Sequence, residues 1–253
     1  AAATTARPQD PCLAAPQRVE RGDTRRGGTM LHLSSPWLDF DLGAEMPVLS
    51  FAPHRGGFAR ARRILWREVR NEDLAEDFDA LRWLGTELAG RDATDAVCFL
   101  TSRQLTAHRV AEAVEDGVTA IAVVTAGLSN AERIGTRLPQ TWLEPAPQDY
   151  GTINIAVRLS CPLAPTALIE AITLAAEART AAVLDVGITL PGGKATGTGT
   201  DCIAVAAPGG DTAFAGKHTA AGHALGRAVY DATLQAVTEW AAEARHWGTA
   251  APR

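Results

Sequence analysis

The chain of 253 residues contains little cysteine and few aromatic residues: four cysteines in all, and 6% Phe, Trp and Tyr. The cysteines are widely spaced and form no C-x-x-C pair, which excludes the disulfide framework of a small secreted domain. No apolar run approaches the roughly 20 residues that a membrane-spanning helix needs. We therefore expect reduced thiols in a cytoplasmic protein that has no membrane-embedded part.

A large excess of basic charge is also missing. The 24 Lys and Arg residues are outnumbered by 29 Asp and Glu residues, which gives a formal net charge of −5. This balance argues against a general nucleic-acid-binding surface. The length and the hydrophobic fraction of 46% are sufficient for a sizeable core without disulfide or metal cross-links.

The two ends of the chain differ from its middle. Residues 1–29 are rich in Ala, Thr, Arg, Pro and Gly and show no hydrophobic periodicity, so we expect a disordered leader. Residues 248–253 are expected to form a short tail. A single domain is predicted over residues 30–247.

Short apolar segments separated by Pro and Gly open this domain, and they predict an antiparallel meander. Its expected strands cover residues 30–33, 37–42, 47–52 and 61–69. Helical spacing then predicts amphipathic helices, and apolar or alternating runs predict strands. The expected helices cover residues 72–88, 104–114, 165–186 and 218–245, and the later strands cover 96–100, 118–125, 152–159 and 203–207. The pattern indicates one mixed α+β domain, in which a strand-rich N-terminal part precedes alternating strands and helices that cover the sheet.

The segment Lys194-Ala-Thr-Gly-Thr-Gly-Thr-Asp-Cys202 has the most unusual composition of the chain. Glycines alternate with threonines, and Asp201 follows just before an apolar strand. Glycine supplies no packing and is kept where the backbone turns tightly or approaches another group closely. Hydroxyls and a carboxylate at the start of a strand indicate a binding or catalytic edge, whereas the alternative is an ordinary Thr-rich loop.

A phosphate-binding loop is not supported around Gly192. The spacing from Gly187 to Gly192 fits, but Gly193 intervenes before Lys194, and Ala195 replaces the Ser or Thr that would bind magnesium. His218 and His223 are five residues apart, so they lie on different faces of a helix and do not form a zinc-binding pair.

Five segments in order resemble the adenosylcobinamide amidohydrolases of corrinoid salvage. They are Thr125-Ala-Gly-Leu-Ser-Asn-Ala131, Gly151-Thr-Ile-Asn-Ile155, Glu177-Ala-Arg-Thr-Ala-Ala182 with Asp185-Val-Gly-Ile188, Ala195-Thr-Gly-Thr-Gly-Thr-Asp-Cys202, and Ala215-Gly-Lys-His-Thr219 with Ala224-Leu-Gly-Arg-Ala-Val-Tyr230. The main departure is Arg179, which stands where the family signature has Lys.

The resemblance implies hydrolysis of the amide that joins a propionyl side chain of the corrin ring to aminopropanol. The expected products are adenosylcobyric acid and 1-amino-2-propanol. Cobalt belongs to this corrinoid substrate, so no cofactor and no protein-bound metal are expected. The expected partner is the small-molecule corrinoid alone, without nucleic acid or membrane, and a homo-oligomer remains open.

Amide hydrolysis needs an activated nucleophile, stabilisation of the oxyanion and a proton for the departing amine. We expect Asp201 or Glu177 to be the general base and His218 to be the proton donor. Substrate binding is expected from Asn130, Asn154, Thr198, Thr200 and Lys217. The favoured mechanism is a water molecule activated by a carboxylate.

Three alternatives remain open from the sequence. In the first, Thr198, Thr200 or Cys202 is a covalent nucleophile and His218 is its base. In the second, the chain is a non-catalytic corrinoid-binding or trafficking protein that uses the same cleft. In the third, the Gly/Thr segment belongs to a nucleotide-binding transferase, which the failed phosphate-loop match disfavours.

Overall fold

The structure is a computed structural model that describes residues 30–69, 79–136 and 151–247, with side chains as far as residue 244. The strands in these ranges are β1 Leu31–Ser34, β2 Trp37–Ser50, β3 Gly57–Glu68, β4 Val97–Thr101, β5 Arg109–Glu115, β6 Val118–Ala126, β7 Ala131–Glu132, β8 Ile153–Leu159, β9 Thr189–Leu190, β10 Gly193–Lys194, β11 Gly197–Thr198 and β12 Cys202–Ala206. The α-helices are α1 Ala80–Gly90, α2 Pro165–Val186 and α3 Ala220–Trp247.

One mixed eight-stranded sheet forms the centre of the fold. Its order is β4-β3-β2-β12-β8-β6-β5, and β1 pairs with β2. Most pairs are antiparallel, but β3 with β4 and β8 with β12 are parallel. The antiparallel meander predicted for the N-terminal part is confirmed as β1, β2 and β3. The α+β class is confirmed as well.

Helices α2 and α3 pack side by side on one face of this sheet. The strict alternation of β8 explains why: its isoleucines, Val157 and Leu159 all enter the core between sheet and helices, as predicted from the sequence. Helix α2 contributes its Ala- and Leu-rich stripe to the same core, and its bounds agree with the prediction. Small residues on both helices permit the close approach of their backbones.

On the opposite face of the sheet, side chains of the first strands pack against side chains of the central strands. Aromatic and aliphatic side chains of β2, β3 and β4 form a second core with Val123 of β6, Ala156 of β8 and Ala204 of β12. The sheet is therefore strongly curved, and its first strands fold over its central ones. Helix α1 covers the outside of β3 and β4 with Leu84 and Leu88.

The helix predicted over residues 104–114 is wrong. The structure has a short 3₁₀ turn, Leu105–Ala107, followed by strand β5. Along β5 the small or charged residues at odd positions are half-buried and the even positions are exposed, which is the period of a strand at a sheet edge. The predicted turn at Asp116 and Gly117 is confirmed, and both residues have positive φ, as a tight hairpin requires.

Several boundaries also differ from the predictions. Helix α1 begins at Ala80 and not at residue 72, because the side chain of Asp79 accepts hydrogen bonds from the backbone of Leu81 and Arg82 and so caps it. Residues 72–78 of the predicted helix lie outside the described ranges. The two strands predicted over 37–42 and 47–52 form the single bent strand β2, whose register shifts between Asp41 and Met46.

The predicted leader 1–29 and tail 248–253 lie outside the described ranges. No helix within those ranges has both the length and the apolar character that a bilayer span requires.

Candidate functional site

The Gly/Thr segment connects a small two-stranded sheet to the centre of the large one. Gly197 and Thr198 form β11, which pairs with β7. A turn at Gly199 and Thr200 follows, and Asp201 then directly precedes β12. Because β12 lies between β2 and β8 in the sheet, Asp201 is held at the mouth of a central, rigid strand.

The Asp201 carboxylate is buried, with only 8% of its side chain exposed, and it accepts four hydrogen bonds. Its Oδ1 atom accepts from the backbone N–H of Ile153 at 2.9 Å and from the hydroxyl of Thr198 at 2.5 Å. Its Oδ2 atom accepts from the backbone N–H of Thr198 at 3.0 Å and forms an ion pair with the guanidinium of Arg179. An ionised carboxylate offers about four acceptor positions, so all of them are occupied by protein donors.

Burial and the local charges act on Asp201 in opposite directions. Desolvation raises the pKa of this carboxyl above its ordinary value, while Arg179 and the hydrogen bonds from Thr198 and Ile153 act to lower it. The net direction is a raised pKa. A carboxylate of this kind is a stronger proton acceptor than an exposed aspartate.

Gly197 leaves the space that the carboxylate occupies. A Cβ atom at this position would overlap Asp201 Oδ2 and would lie 2.8 Å from Arg179 Nη1. The neighbouring Gly199 has no atom within 4 Å of the equivalent position. Gly197 is thus required by the close approach of the ion pair, as the sequence suggested for this segment, whereas Gly199 lies in open space.

A chain of hydroxyls and amides extends from Asp201. Thr198 Oγ1 accepts from the backbone N–H of Thr200 at 3.3 Å, and the Thr200 hydroxyl donates to the backbone oxygen of Gly151 at 3.0 Å. Asn130 Nδ2 donates to Thr200 Oγ1 at 3.3 Å. Three predicted substrate-binding residues, Asn130, Thr198 and Thr200, are therefore brought together with the predicted base Asp201.

Asn154 lies beneath this chain and is fully buried. Its side chain donates to the backbone oxygen of Leu100 at 2.7 Å and accepts from the Thr152 hydroxyl, which also donates to Thr200 O. In the sheet register it stands between Thr125 and Cys202. The burial of Asn154 favours a supporting role over direct contact with a ligand.

An open cleft of ≈ 530 Å³ lies above the carboxylate. Its lining comes from β7 with the turn after it, from α2 and from β11 with Asp201. These residues are Glu132, Arg133, Ile134, Gly135, Thr136, Arg179, Thr180, Thr196, Gly197, Thr198 and Asp201. Ile134 is 83% exposed at the rim. The cleft thus has a polar floor and an apolar lip.

The other predicted site residues lie elsewhere. Glu177 and Lys217 form an ion pair on the outside of α2, with 58% and 67% of their side chains exposed. Lys217 lines a separate groove of ≈ 320 Å³ between α2 and α3, together with His223 and Arg227. His218 is exposed just before α3 and lines neither hollow. The structure therefore does not bring Glu177, Lys217 or His218 to the Asp201 cleft.

Arg179 is the central residue that the sequence analysis missed. It stands in one of the five segments, two positions after Glu177, and a separation of two residues places the side chains on different sides of a helix. Glu177 faces outward and Arg179 faces the cleft. Arg179 carries a charge within a helix that is rich in Ala and Leu, but its partner could be identified only from the fold.

Metal binding has no obvious location in this part of the protein. In residues 30–69, 79–136 and 151–247, no three His, Cys, Asp or Glu side chains are grouped so that they could hold a metal ion. The cysteines in these ranges, Cys98, Cys161 and Cys202, are free thiols.

Comparison with known proteins gives one family. The model of a family described as adenosylcobinamide amidohydrolase matches residues 24–245. A comparison with curated proteins finds no significant match.

Proposed function

This chain belongs to the adenosylcobinamide amidohydrolase family, and on that premise we propose that it hydrolyses the amide between the corrin propionyl side chain and aminopropanol. The products would be adenosylcobyric acid and 1-amino-2-propanol. The family description supports amidohydrolase activity in general, and the specific bond and products are our proposal.

The observation that carries the proposal is the group of Asp201, Thr198 and Arg179 on the floor of one cleft. An amide is a poor electrophile, so its hydrolysis needs a nucleophile from which a base removes the proton and a positive charge near the developing oxyanion. A carboxylate, a hydroxyl and a guanidinium in mutual contact provide these three groups. All three come from segments that resemble the family.

The size of the cleft fits part of the proposed substrate. Volumes of roughly 300–1,000 Å³ are typical of pockets for drug-sized ligands, and adenosylcobinamide is larger than such ligands. We propose that the propionyl-aminopropanol arm enters the cleft of ≈ 530 Å³ while the corrin ring stays at its mouth. The exposed Ile134 would contact the ring there.

We propose further that no protein-bound metal takes part, and that cobalt enters only as part of the substrate. Both oxygens of Asp201 are occupied by Arg179, Thr198 and Ile153, so this carboxylate is unsuited to coordinate a cation. Free thiols at Cys98, Cys161 and Cys202 support a cytoplasmic location, where thiols stay reduced.

The test is mass spectrometry of adenosylcobinamide incubated with the purified full chain, without metal or nucleotide and with a chelator in a parallel sample. We expect adenosylcobyric acid and free 1-amino-2-propanol in equal amounts, at the same rate in both samples. Asp201→Asn is the inactive control. Binding of adenosylcobinamide without any product would reject the hydrolase and favour the non-catalytic corrinoid-binding protein.

A further inference from the structure

The four donors on Asp201 differ in one chemical respect. Three of them are the backbone N–H groups of Ile153 and Thr198 and the guanidinium of Arg179. None of these gives up a proton at neutral pH, because amides are far too weakly acidic and arginine stays charged in proteins. The hydroxyl of Thr198 is the fourth donor, and it becomes a nucleophile when its proton is removed.

In the unmodified protein no acceptor position of this carboxylate is left for a water molecule. Both oxygens are filled by these protein groups, whereas a general base needs the proton that it takes within hydrogen-bond reach or one water away. Thr198 already occupies that place, with 2.5 Å between its Oγ1 and Asp201 Oδ1. It also lines the cleft in which the amide would lie.

We propose that Thr198 is the covalent nucleophile of the amidohydrolase and that Asp201 is its general base. This inference rests on the proposed function, and it replaces the water activated by a carboxylate that the sequence favoured.

The reaction balances in two halves. First, Thr198 Oγ1 forms a bond to the amide carbon while its proton passes to Asp201 Oδ1. The C–N bond then breaks, and the same proton passes to the nitrogen of the departing 1-amino-2-propanol. The corrinoid acid is left as an ester on Thr198. Esterified Thr198 no longer donates to Asp201 Oδ1, so a water molecule takes that place. It attacks the ester carbon while its proton passes to Asp201, and cleavage of the C–Oγ1 bond returns that proton to Thr198 and releases the acid.

The surroundings of Thr198 support this assignment. The backbone N–H of Thr200 donates to Thr198 Oγ1 at 3.3 Å and so stabilises negative charge on that atom. When Asp201 is protonated, the charge of Arg179 is no longer balanced by the carboxylate and is available to the oxyanion of the intermediate. The raised pKa of Asp201 strengthens it as the base.

The other candidate nucleophiles lack a base. The Thr200 hydroxyl donates to the backbone oxygen of Gly151 and not to a carboxylate. Burial and the charge of Asp201 raise the pKa of the Cys202 thiol to about 11, so it stays protonated at neutral pH. His218, which the sequence offered as the base only for a covalent nucleophile, does not line the cleft.

The test adds hydroxylamine to the wild-type reaction with adenosylcobinamide and analyses acid-quenched samples by mass spectrometry. An ester on Thr198 reacts with hydroxylamine to give the corrinoid hydroxamate. If formation of the ester limits the rate, we expect hydroxamate to replace acid while release of 1-amino-2-propanol stays unchanged. If its breakdown limits the rate, we expect the peptide that contains Thr198 to carry the mass of the corrinoid acyl group.

Normal hydrolysis would show direct attack by water if no adduct forms on the Thr198 peptide and no hydroxamate replaces the acid at an unchanged rate of 1-amino-2-propanol release. That result would overturn the nucleophile and leave the proposed function standing. Absence of hydrolysis by the wild type would reject the proposed function itself, and the nucleophile with it.

Variants provide an independent arm. We expect Thr198→Ala to lower turnover on the order of 10³-fold or more, and Thr198→Ser to stay within about tenfold of the wild type because it keeps the hydroxyl. Thr173→Ala is the matched control, since Thr173 is exposed on α2 and its hydroxyl donates to the backbone oxygen of Glu170 in the same helix. Substantial turnover by a folded Thr198→Ala protein would overturn the proposal.

Discussion

The side-chain amide of Asn154 donates a hydrogen bond to the backbone oxygen of Leu100 at 2.7 Å. These residues belong to β8 and the end of β4, which are separated by three other strands in the sheet. The contact therefore joins the two sides of the curved sheet directly below Asp201 and Thr200. We expect this contact to help to hold the curvature of the sheet.

Asn154→Ala is expected to destabilise the protein. It removes the Asn154 donor from the partly buried oxygen of Leu100, and loss of such a hydrogen-bond partner costs about 1–3 kcal/mol. The Thr152 hydroxyl keeps the backbone oxygen of Thr200 as its acceptor. Equilibrium denaturation with urea measures this loss, with Thr173→Ala as the control on an exposed position. An unchanged free energy of unfolding would show that the contact does not fix the fold.

Gly197→Ala and Gly199→Ala form a matched pair two residues apart. The new methyl group overlaps the ion pair of Asp201 and Arg179 in the first case and meets open space in the second. We expect Gly197→Ala to lower turnover by roughly 10²-fold or more, because displaced catalytic groups lose their alignment. Gly199→Ala is expected to retain most activity. Steady-state kinetics of both variants test this, and equal effects would contradict the geometry.

The successes and failures of the sequence analysis have physical reasons. Strand β8 and helix α2 were predictable because their hydrophobic periods are regular and long. Strand β5 was not, because the sequence Arg-Val-Ala-Glu-Ala-Val-Glu is rich in helix-favouring residues, and only its place at the sheet edge makes it a strand. Local helix and strand propensities do not contain the tertiary contacts that decide the structure of such a segment.

The same limit applies to the candidate site. Asp201, Thr198 and Thr200 are neighbours in the sequence, so their unusual composition was enough to single them out. The pairing of Asp201 with Arg179 depends on how α2 packs beside β11, which no local pattern contains. Glu177 was predicted because, like Asp201, it lies in a segment that resembles the family, and its side chain faces away from the cleft. Its predicted role as base, like those of His218 and Lys217, stays a prediction.

Arg179 is expected to tolerate lysine but not a neutral residue. Only one guanidinium nitrogen, Nη1, is bonded to Asp201, so a bidentate geometry that only arginine provides is not in use. We expect Arg179→Lys to keep turnover within about tenfold and Arg179→Met to lower it by roughly 10²-fold, both measured as kcat and KM.

The pH dependence of turnover in these variants tests Asp201 as the base, because a purely structural role of Arg179 would not shift the acidic limb of the profile. Asp201 must be ionised to accept a proton, so turnover falls as the pH drops below its pKa. Burial raises that pKa, which places the acidic limb above the value of about 3.9 for an ordinary aspartate. Arg179 lowers the same pKa, so Arg179→Met should move the acidic limb to higher pH. A limb that stays in place would contradict Asp201 as the titrating base.

Glu177→Gln tests whether the reaction takes place in the Asp201 cleft or in the groove between α2 and α3. Glu177 and Lys217 form an exposed ion pair away from the lining of the Asp201 cleft, and surface ion pairs contribute only about 0–1 kcal/mol. If hydrolysis takes place at Asp201, Glu177→Gln should keep kcat within about threefold of the wild type and leave the free energy of unfolding nearly unchanged. Asp201→Asn, assayed in parallel, removes the charge of the other predicted base and should abolish turnover.

The reverse pattern, with Glu177→Gln inactive and Asp201→Asn active, would move the catalytic site to the groove between α2 and α3, where Lys217 and His223 lie. Loss of turnover in both variants would instead show that both carboxylates are needed, with Glu177 acting on the part of the corrinoid that extends beyond the cleft.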